Sequence, residues 1–408
     1  MKRVAVIGAG LAGLSCAFSL NRRGLACTVF QPQPQQARHT AASYLLAPDL
    51  FRNTFQLIHD LGLTREVIPI SPYAGQVYKG RIYTHRVASA TGLLKFKGLH
   101  IVDKALLPRM AYLLARHASR LDFHKPERGL EFDNETAASY VKRELSQNVL
   151  NYVAGPLIST LFFYGSDETS AWLCLILTKH MHDVRMSTVR GGISRIADAL
   201  SKDLHVVSAE PVRRLDTDGA SFVVRGERFS DVVVAVPGDA VLAIDGIPDL
   251  LSENDRRFFQ DVRYQRVVSV KVATERPLDG HCYAVSIPRV ENFSAQAISF
   301  HDYIDPSTVP NGEGLLTITG GGPAVTPETL VGDLKKLYPL APVDPVSIEA
   351  FEWNSGMPKF PPGRYREISE FQQRQRRPGL FFCGDYLLGP LMEGAITTGL
   401  RAAGAIQT

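Results

Sequence analysis

A two-domain α/β protein, in which a mixed α+β region interrupts a parallel-sheet domain, is what this sequence predicts, on three observations. A short apolar run at residues 4–7 leads into the glycine turn Gly8-Ala9-Gly10-Leu11-Ala12-Gly13 and then into a helix rich in Ala and Leu. A second apolar run, residues 380–383, ends in Gly384-Asp385 and is followed by a small-residue helix over residues 394–405. The 408 residues exceed one small core and suit two intermingled domains, at roughly 100–200 residues each.

The N-terminal unit reads as strand, turn, helix, strand. Its uninterrupted apolar run suits a fully buried parallel strand, and the helix is expected over residues 11–20. Gly8 makes the tight bend, Gly10 lets the backbone approach a pyrophosphate, and Gly13 lets the helix pack on the strand. The helix start at Leu11 and Ala12 presents free N–H groups and the positive dipole end to that pyrophosphate. Gly24 caps the helix and residues 26–30 form the second strand. Where that strand ends, an Asp or Glu would grip a ribose diol; this chain has Gln31, then Pro32, Gln33, Pro34, Gln35 and Gln36. An amide oxygen still accepts a hydrogen bond, but without the charge that makes such bonds roughly twice as strong, so affinity falls without vanishing. Two other readings stand beside this one: a preference for a 2′-phosphorylated dinucleotide partnered by Arg38, and a degenerate site that binds nothing.

The C-terminal unit speaks for a flavin. A strand ending in Gly384-Asp385 places a carboxylate on a polyol hydroxyl, and the helix start near Gly394 and Ala395 offers N–H groups to an electron-rich ring edge. Helix packing explains Gly399 and the alanines; it leaves Asp385 at the end of an apolar strand unexplained.

With these motifs in place, the chain resembles the superfamily of FAD-dependent oxidoreductases that includes phytoene desaturases, protoporphyrinogen oxidases, hydroxysqualene dehydroxylase and flavin amine oxidases. The resemblance runs through VAVIGAGLAGLSCAFSL at the start, VRGGISRIADAL, DVVVAVPGDAV, EWNSGMPKFPPG and the closing FCGDYLLGPLMEGAITTG. It implies a Rossmann-like FAD-binding domain over residues 1–75, 185–265 and 351–408, with a substrate-binding domain over 76–184 and 266–350. It implies Gly8, Gly10, Gly13 and Gln31 for the ADP half, Val212 at the adenine, and Gly384, Asp385, Met392, Glu393, Gly394 and Ala395 near the ribityl chain and ring. Relatives carry an acid and then Gly-Gly-Arg near residues 36–39; here QQARHT stands there, with Arg38 as the surviving arginine. An FAD site thinned on one side and kept on the other is therefore expected.

For the substrate half, Ile101, Val102, Ala105, Leu106, Met110, Leu113 and Leu114 form an apolar helical face flanked by Lys95, Lys97, Lys104, Arg109 and Arg116. Core packing is the expectation for that face; weak peripheral membrane association is the alternative a basic amphipathic stretch allows. Residues 266–274, 282–288 and 314–320 alternate as strands of a sheet over the flavin. Amine oxidases place a lysine on the first of these strands; the matching position here is Ser269, with Lys271 two residues on and on the same strand face. Lys271 is the candidate for proton handling, and Trp353, Met357 and Met392 are expected close to the ring.

Composition removes other classes. Net charge is +4, from 45 basic and 41 acidic residues without a long run of one sign, which gives nucleic acid no footing. The five cysteines are far apart and never in a C-x-x-C pair, which points to a reducing cytoplasm rather than a disulfide framework. His180 and His182, read as two residues on one strand face, have no Cys or Glu neighbours in sequence, and no metal is assigned. The expected activity is FAD-dependent removal of hydride from a carbon of an apolar or amphipathic small molecule, with oxygen or another acceptor reoxidising the flavin. Alternatives are a redox-neutral flavin isomerase or dehydroxylase acting on a polyisoprenoid, and a non-catalytic scaffold with a degraded FAD site.

Overall fold

The computed structural model describes residues 2–32, 48–87, 89–181, 185–278, 281–309, 312–339, 345–374 and 377–407. A five-stranded, all-parallel sheet runs in the spatial order Leu380–Phe382, Asp231–Val234, Arg3–Ile7, Ala26–Pro32, His205–Ala209. Val4, Ala5, Val6, Val232, Val233 and Val234 are fully buried, as β-branched and small residues in a sheet covered on both faces should be. Helix Leu11–Arg22 extends the predicted one by two residues and closes where Gly24, at φ +75°, donates its N–H to the Asn21 carbonyl. Helix Met392–Ala405 lies on helix Leu11–Arg22 so closely that a Cβ on Gly399 would collide with the carbonyl oxygen of Ala12.

The second layer is a seven-stranded sheet in the order Pro345–Pro358, Tyr264–Thr274, Gly314–Gly321, Ala297–Phe300, Ala284–Ser286, Tyr73–Tyr78, Arg81–Arg86. Alternation along the strands divides it into two faces. One carries Val268, Val270, Val272, Ile298, Leu316 and Ile318 against Leu330 and Leu334 of helix Pro327–Leu337. The other, with the opposite parity, carries Ser269, Lys271, Thr317, Thr319, Phe351 and Trp353. Strands Tyr264–Thr274 and Pro345–Pro358 run unbroken across the expected domain limits at 265/266 and 350/351. They tie the two sheets together, since the Gly238 N–H donates to Tyr264 Oη at 2.9 Å and Ser355 Oγ donates to Asp239 Oδ2 at 2.5 Å.

Two expectations are corrected. The face expected as core between residues 101 and 114 is core only in part: Ile101 and Val102 are 84 % and 68 % exposed and Ala105 is exposed, whereas Leu106, Met110, Leu113 and Leu114 are half-buried, Leu114 against the main core. His180 lies near the end of helix Ala171–Met181 rather than on a strand, because Ala171–Leu177 is apolar on every side and fills the core as a helix; His182 lies outside the described residues. The five cysteines are all free thiols. Among the described residues, no helix is long and apolar enough to cross a membrane.

Candidate functional site

The site is built from the C-terminal ends of the parallel strands, where open α/β sheets present their ligand crevice. The glycine turn leaves Arg3–Ile7 with Gly8 at φ +116°, a conformation L side chains rarely adopt, and a Cβ there would lie 2.5 Å from the Ala235 carbonyl oxygen. A Cβ on Gly13 would overlap the carbonyl oxygen of Gly8, so helix and strand meet backbone to backbone. Gly10 differs: a Cβ there would meet nothing within 4 Å. The first helical hydrogen bond runs from the Leu14 N–H to the Gly10 carbonyl, at 2.9 Å. The N–H groups of Leu11, Ala12 and Gly13 therefore have no intrahelical acceptor and point into the space before Gly10, as an anion cradle requires.

Gln31, one residue before the end of strand Ala26–Pro32, stands opposite Ser208, to whose Oγ its Nε2 donates at 2.7 Å. That bond fixes the amide, and among the described residues Oε1 is left free to accept. Val212 follows strand His205–Ala209 in a loop, three residues past its end, half-buried against the main core. Arg38 lies outside the described residues.

Asp385 follows strand Leu380–Phe382 and opens a short 3-10 turn, Asp385–Leu387. Its carboxyl is pressed into a recess; this burial, with repulsion from Asp239 as a smaller cause, raises it to about 7. It receives backbone N–H groups, its own and that of Tyr386, and among the described residues no side chain donates to it. A carboxyl held in that state lacks hydroxyl donors, which is what a polyol chain supplies. Closing helix Met392–Ala405 begins beside it; Gly394 and Ala395 donate to the Leu391 carbonyl, and the N–H groups of Met392 and Glu393 lie free at the helix start. Gly394 is buried where a Cβ would collide with the Gly389 carbonyl, so the loop before the helix folds directly over its first turn.

Glu393 does something the sequence did not disclose. Its side chain turns away from the helix start and is 0 % exposed. Oε1 accepts the Asn53 N–H at 2.9 Å, the Thr397 hydroxyl at 3.2 Å and His124 Nε2 at 2.5 Å. Oε2 accepts the Thr54 N–H at 2.9 Å and its hydroxyl at 2.6 Å. The carboxylate thus caps helix Arg52–Asp60, which has no side-chain cap of its own, at the end where negative charge is favoured. His124 Nδ1 in turn accepts from Arg52 at 2.7 Å, and Arg52 pairs with Asp122 at 2.9 Å. Asn53, Thr54 and His124 lie far from Glu393 in sequence and belong to no recognisable motif, so only the tertiary fold reveals the group.

Lys271 and Trp353 share the inward face of the second sheet but are not neighbours. Trp353 stands opposite Val267 and stacks on Phe351, with ring centroids 6.0 Å apart; Lys271 is four residues further along, about 13 Å at strand rise. Between them Ser269 Oγ and Thr319 Oγ1 share a hydrogen bond of 2.8 Å, both almost fully buried. Beside Lys271, His301 Nε2 meets Thr317 Oγ1 at 2.8 Å. Burial, and secondarily the Lys271 charge, lowers His301 to about 4, so its ring is neutral at physiological pH. His301 was not foreseen; it continues the alternation of strand Ala297–Phe300 by one step, a signal too short to read alone. The same face reaches the Gly191-Gly192 turn, whose Gly191 N–H donates to Asp305 Oδ2 at 2.6 Å.

A parallel sheet with an anion cradle at its first turn, a polyol-seeking carboxyl at its last strand, and a second sheet tied to its edge define a two-lobed flavoprotein. Comparison with known proteins agrees. The profile of flavin-containing amine oxidoreductases matches residues 48–407, and that of an FAD-binding domain matches residues 3–44. The chain belongs to the flavin-containing amine oxidoreductase family and is an FAD-dependent oxidoreductase. It is 22 % identical to protoporphyrinogen oxidase 2, chloroplastic/mitochondrial, of Arabidopsis thaliana, over 98 % of this chain and 93 % of that one. Among solved structures it is similar to a putative protoporphyrinogen oxidase from Exiguobacterium sp. 255-15 (TM-score 0.75, 15 % identity, 99 % and 98 % of the two chains). It is also similar to cyclohexylamine oxidase from Brevibacterium oxydans IH-35A (TM-score 0.76, 16 % identity, 99 % and 98 %). The residues present fit FAD: the open cradle at Gly10 suits its pyrophosphate and the donor-starved Asp385 suits its ribityl hydroxyls.

Proposed function

We propose that the protein dehydrogenates a carbon of an apolar or amphipathic small molecule, in the manner of a desaturase or porphyrinogen oxidase rather than of an amine oxidase. Such a reaction belongs to isoprenoid, porphyrin or secondary metabolism. The observation that carries this reading is the Ser269–Thr319 pair. At the strand position where amine oxidases keep a lysine, this chain has a hydroxyl already engaged by another at 2.8 Å and shut off from solvent. Bound FAD supplies the hydride acceptor, and oxygen or a second acceptor takes the electrons on.

The chain's own residues then orient the substrate and exclude water. Trp353 and Phe351 offer a stacked apolar platform at one end of the sheet face. Lys271 stands at the other end as the group for proton handling, or for meeting a polar substrate terminus, because its neighbour His301 is held neutral. The free thiols support a reducing compartment, with the cytoplasm the simplest choice.

The test is anaerobic titration of the desalted, flavin-loaded protein with polyisoprenoids, porphyrinogens and alkylamines, following the visible flavin band. Bleaching by an isoprenoid or a porphyrinogen and not by amines is the expected result. Bleaching by amines alone overturns the reading, as does product formation without bleaching or acceptor consumption, which would mark a redox-neutral isomerase or dehydroxylase.

A further inference from the structure

We infer that Lys271, with the His301–Thr317 pair beside it, is a carboxylate subsite, so that the molecule oxidised is an amphipathic acid. This rests on the dehydrogenase reading above and gives Lys271 substrate binding rather than proton handling. Register places Glu349, Lys271, Thr317, Ser299 and Ala284 in one row across the inward face of the second sheet. The next row on that face holds Phe351, Ser269 and Thr319, and the row beyond it Trp353 and Val267. The rows differ in access. Ser269 and Thr319 bond each other and are 1 % and 3 % exposed, whereas Lys271 and His301 are only half-buried.

Among the described residues Lys271 makes no hydrogen bond and no ion pair. Its register neighbour Glu349 lies exposed on the edge strand and is not in ion-pair contact with it. Beside it stands the neutral ring of His301, with Nε2 2.8 Å from Thr317 Oγ1, and neither of those two side chains has another hydrogen-bond partner among the described residues. A neutral imidazole carries one N–H and a hydroxyl one O–H. The bond between them uses one of these hydrogens and leaves the other. If the hydroxyl donates, the Nδ1–H remains; if the ring donates, the hydroxyl proton remains. Either tautomer therefore sets one spare neutral donor near the ammonium. At the far end of the row Ala284 clusters with Ile70 and Ile304, so apolar side chains close it there.

One ammonium and one neutral donor match the two oxygens of a carboxylate. A half-buried cation without a counter-ion gains most from an anionic acceptor, because charge-assisted hydrogen bonds are the strong ones. An alkylamine would bring like charges together at this row, which acts against amines independently of the residue at 269. A phosphate, with up to two charges, would find a single cation in the row. The apolar part of the same molecule has its place on the stacked rings of Phe351 and Trp353, the latter about 13 Å from Lys271 at strand rise. Between the two ends the Ser269–Thr319 pair is closed on itself, so the middle of the substrate needs no polar group. The class this selects is an acid with an apolar body of roughly that length, its carboxylate directed away from Trp353.

The test is equilibrium dialysis of the flavin-loaded full-length protein against dodecanoate, methyl dodecanoate, dodecylamine and dodecyl phosphate, each below its micelle concentration. Dodecanoate should bind at least about tenfold tighter than the ester or the amine, the worth of one hydrogen bond to a charged group. Lys271→Met should abolish that preference and leave the ester's affinity unchanged, with flavin content and circular dichroism as in the wild type, because no partner of Lys271 is lost. Lys271→Arg should keep most of the preference, and His301→Phe should weaken dodecanoate about fivefold. Dodecanoate that fails to bind, an ester, amine or phosphate bound as tightly, or a preference that survives Lys271→Met would each overturn the inference. Binding is read here without turnover. Bleaching by an isoprenoid without acid preference would thus remove the subsite and leave dehydrogenation standing, whereas acid preference with bleaching by amines alone would do the reverse.

Discussion

Glu393→Gln is the substitution that most directly tests how the cofactor-side helix is held. The wild-type carboxylate offers two oxygens to five donors in a site with no solvent. The amide has the same shape but one oxygen. If its NH2 replaces Oε2, the Thr54 hydroxyl can turn to accept, but the Thr54 N–H is left facing another donor. If it replaces Oε1, the Asn53 N–H is stranded instead. One buried backbone N–H without a partner costs about 1–3 kcal/mol. Losing the negative charge at the start of helix Arg52–Asp60 costs about 0.3–2 kcal/mol more, the upper end applying to partly buried geometry such as this. The expected loss is about 2–4 kcal/mol. It is measured as a lower urea midpoint at unchanged m-value, followed by circular dichroism on the flavin-stripped protein. Glu393→Ala, which strands both N–H groups and leaves a cavity, should lose more. A change below about 0.5 kcal/mol, the range of surface substitutions, would refute the argument that this carboxylate caps the helix.

Other consequences are as direct. Gln31→Glu should tighten FAD about fivefold, because a carboxylate keeps the Ser208 contact with the donor reversed and adds a charge-assisted bond worth about 1 kcal/mol; fluorescence titration showing equal or weaker binding would refute it. Gly10→Ala should fold with wild-type stability but bind FAD poorly, whereas Gly13→Ala should fail to fold, since only the latter Cβ has an atom in its way; thermal melts with and without FAD separate the two. Asp385 is raised to about 7 from an unfolded value near 3.9. The stripped protein therefore binds the extra proton in its folded state, and this contribution to stability is full below about 4 and lost as pH rises to about 7. Because ribityl hydroxyls favour the ionised form, FAD should bind more tightly as pH rises through about 7, with a proton released. Asp385→Asn should flatten both profiles, and an unchanged pH dependence in that variant would remove Asp385 from the ribityl site.

The sequence alone determined the cofactor half because local rules set it. An apolar run, a glycine turn and an Ala-rich helix occupy contiguous residues, and their geometry follows from sterics and hydrogen bonding within some 30 residues. Gly8 and Asp385 stand just past strand ends, and Gly10 and Gly13 at the start of the helix that follows, for that reason, and the position of Gln31 followed from counting along the second strand. What the tertiary structure decided involves partners remote in sequence. The closure of Glu393 on Asn53, Thr54 and His124, and the neutral His301 beside Lys271, arise only when separate segments meet, and no local period announces them. The helical face at residues 101–114 shows the limit best. Its period was legible and its helices formed, but period says only that a stripe exists; whether it meets core or solvent is fixed by what else the chain brings to it. Here Asp103 found Ser146 and Asn148, and those bonds turned Ile101 and Val102 outward.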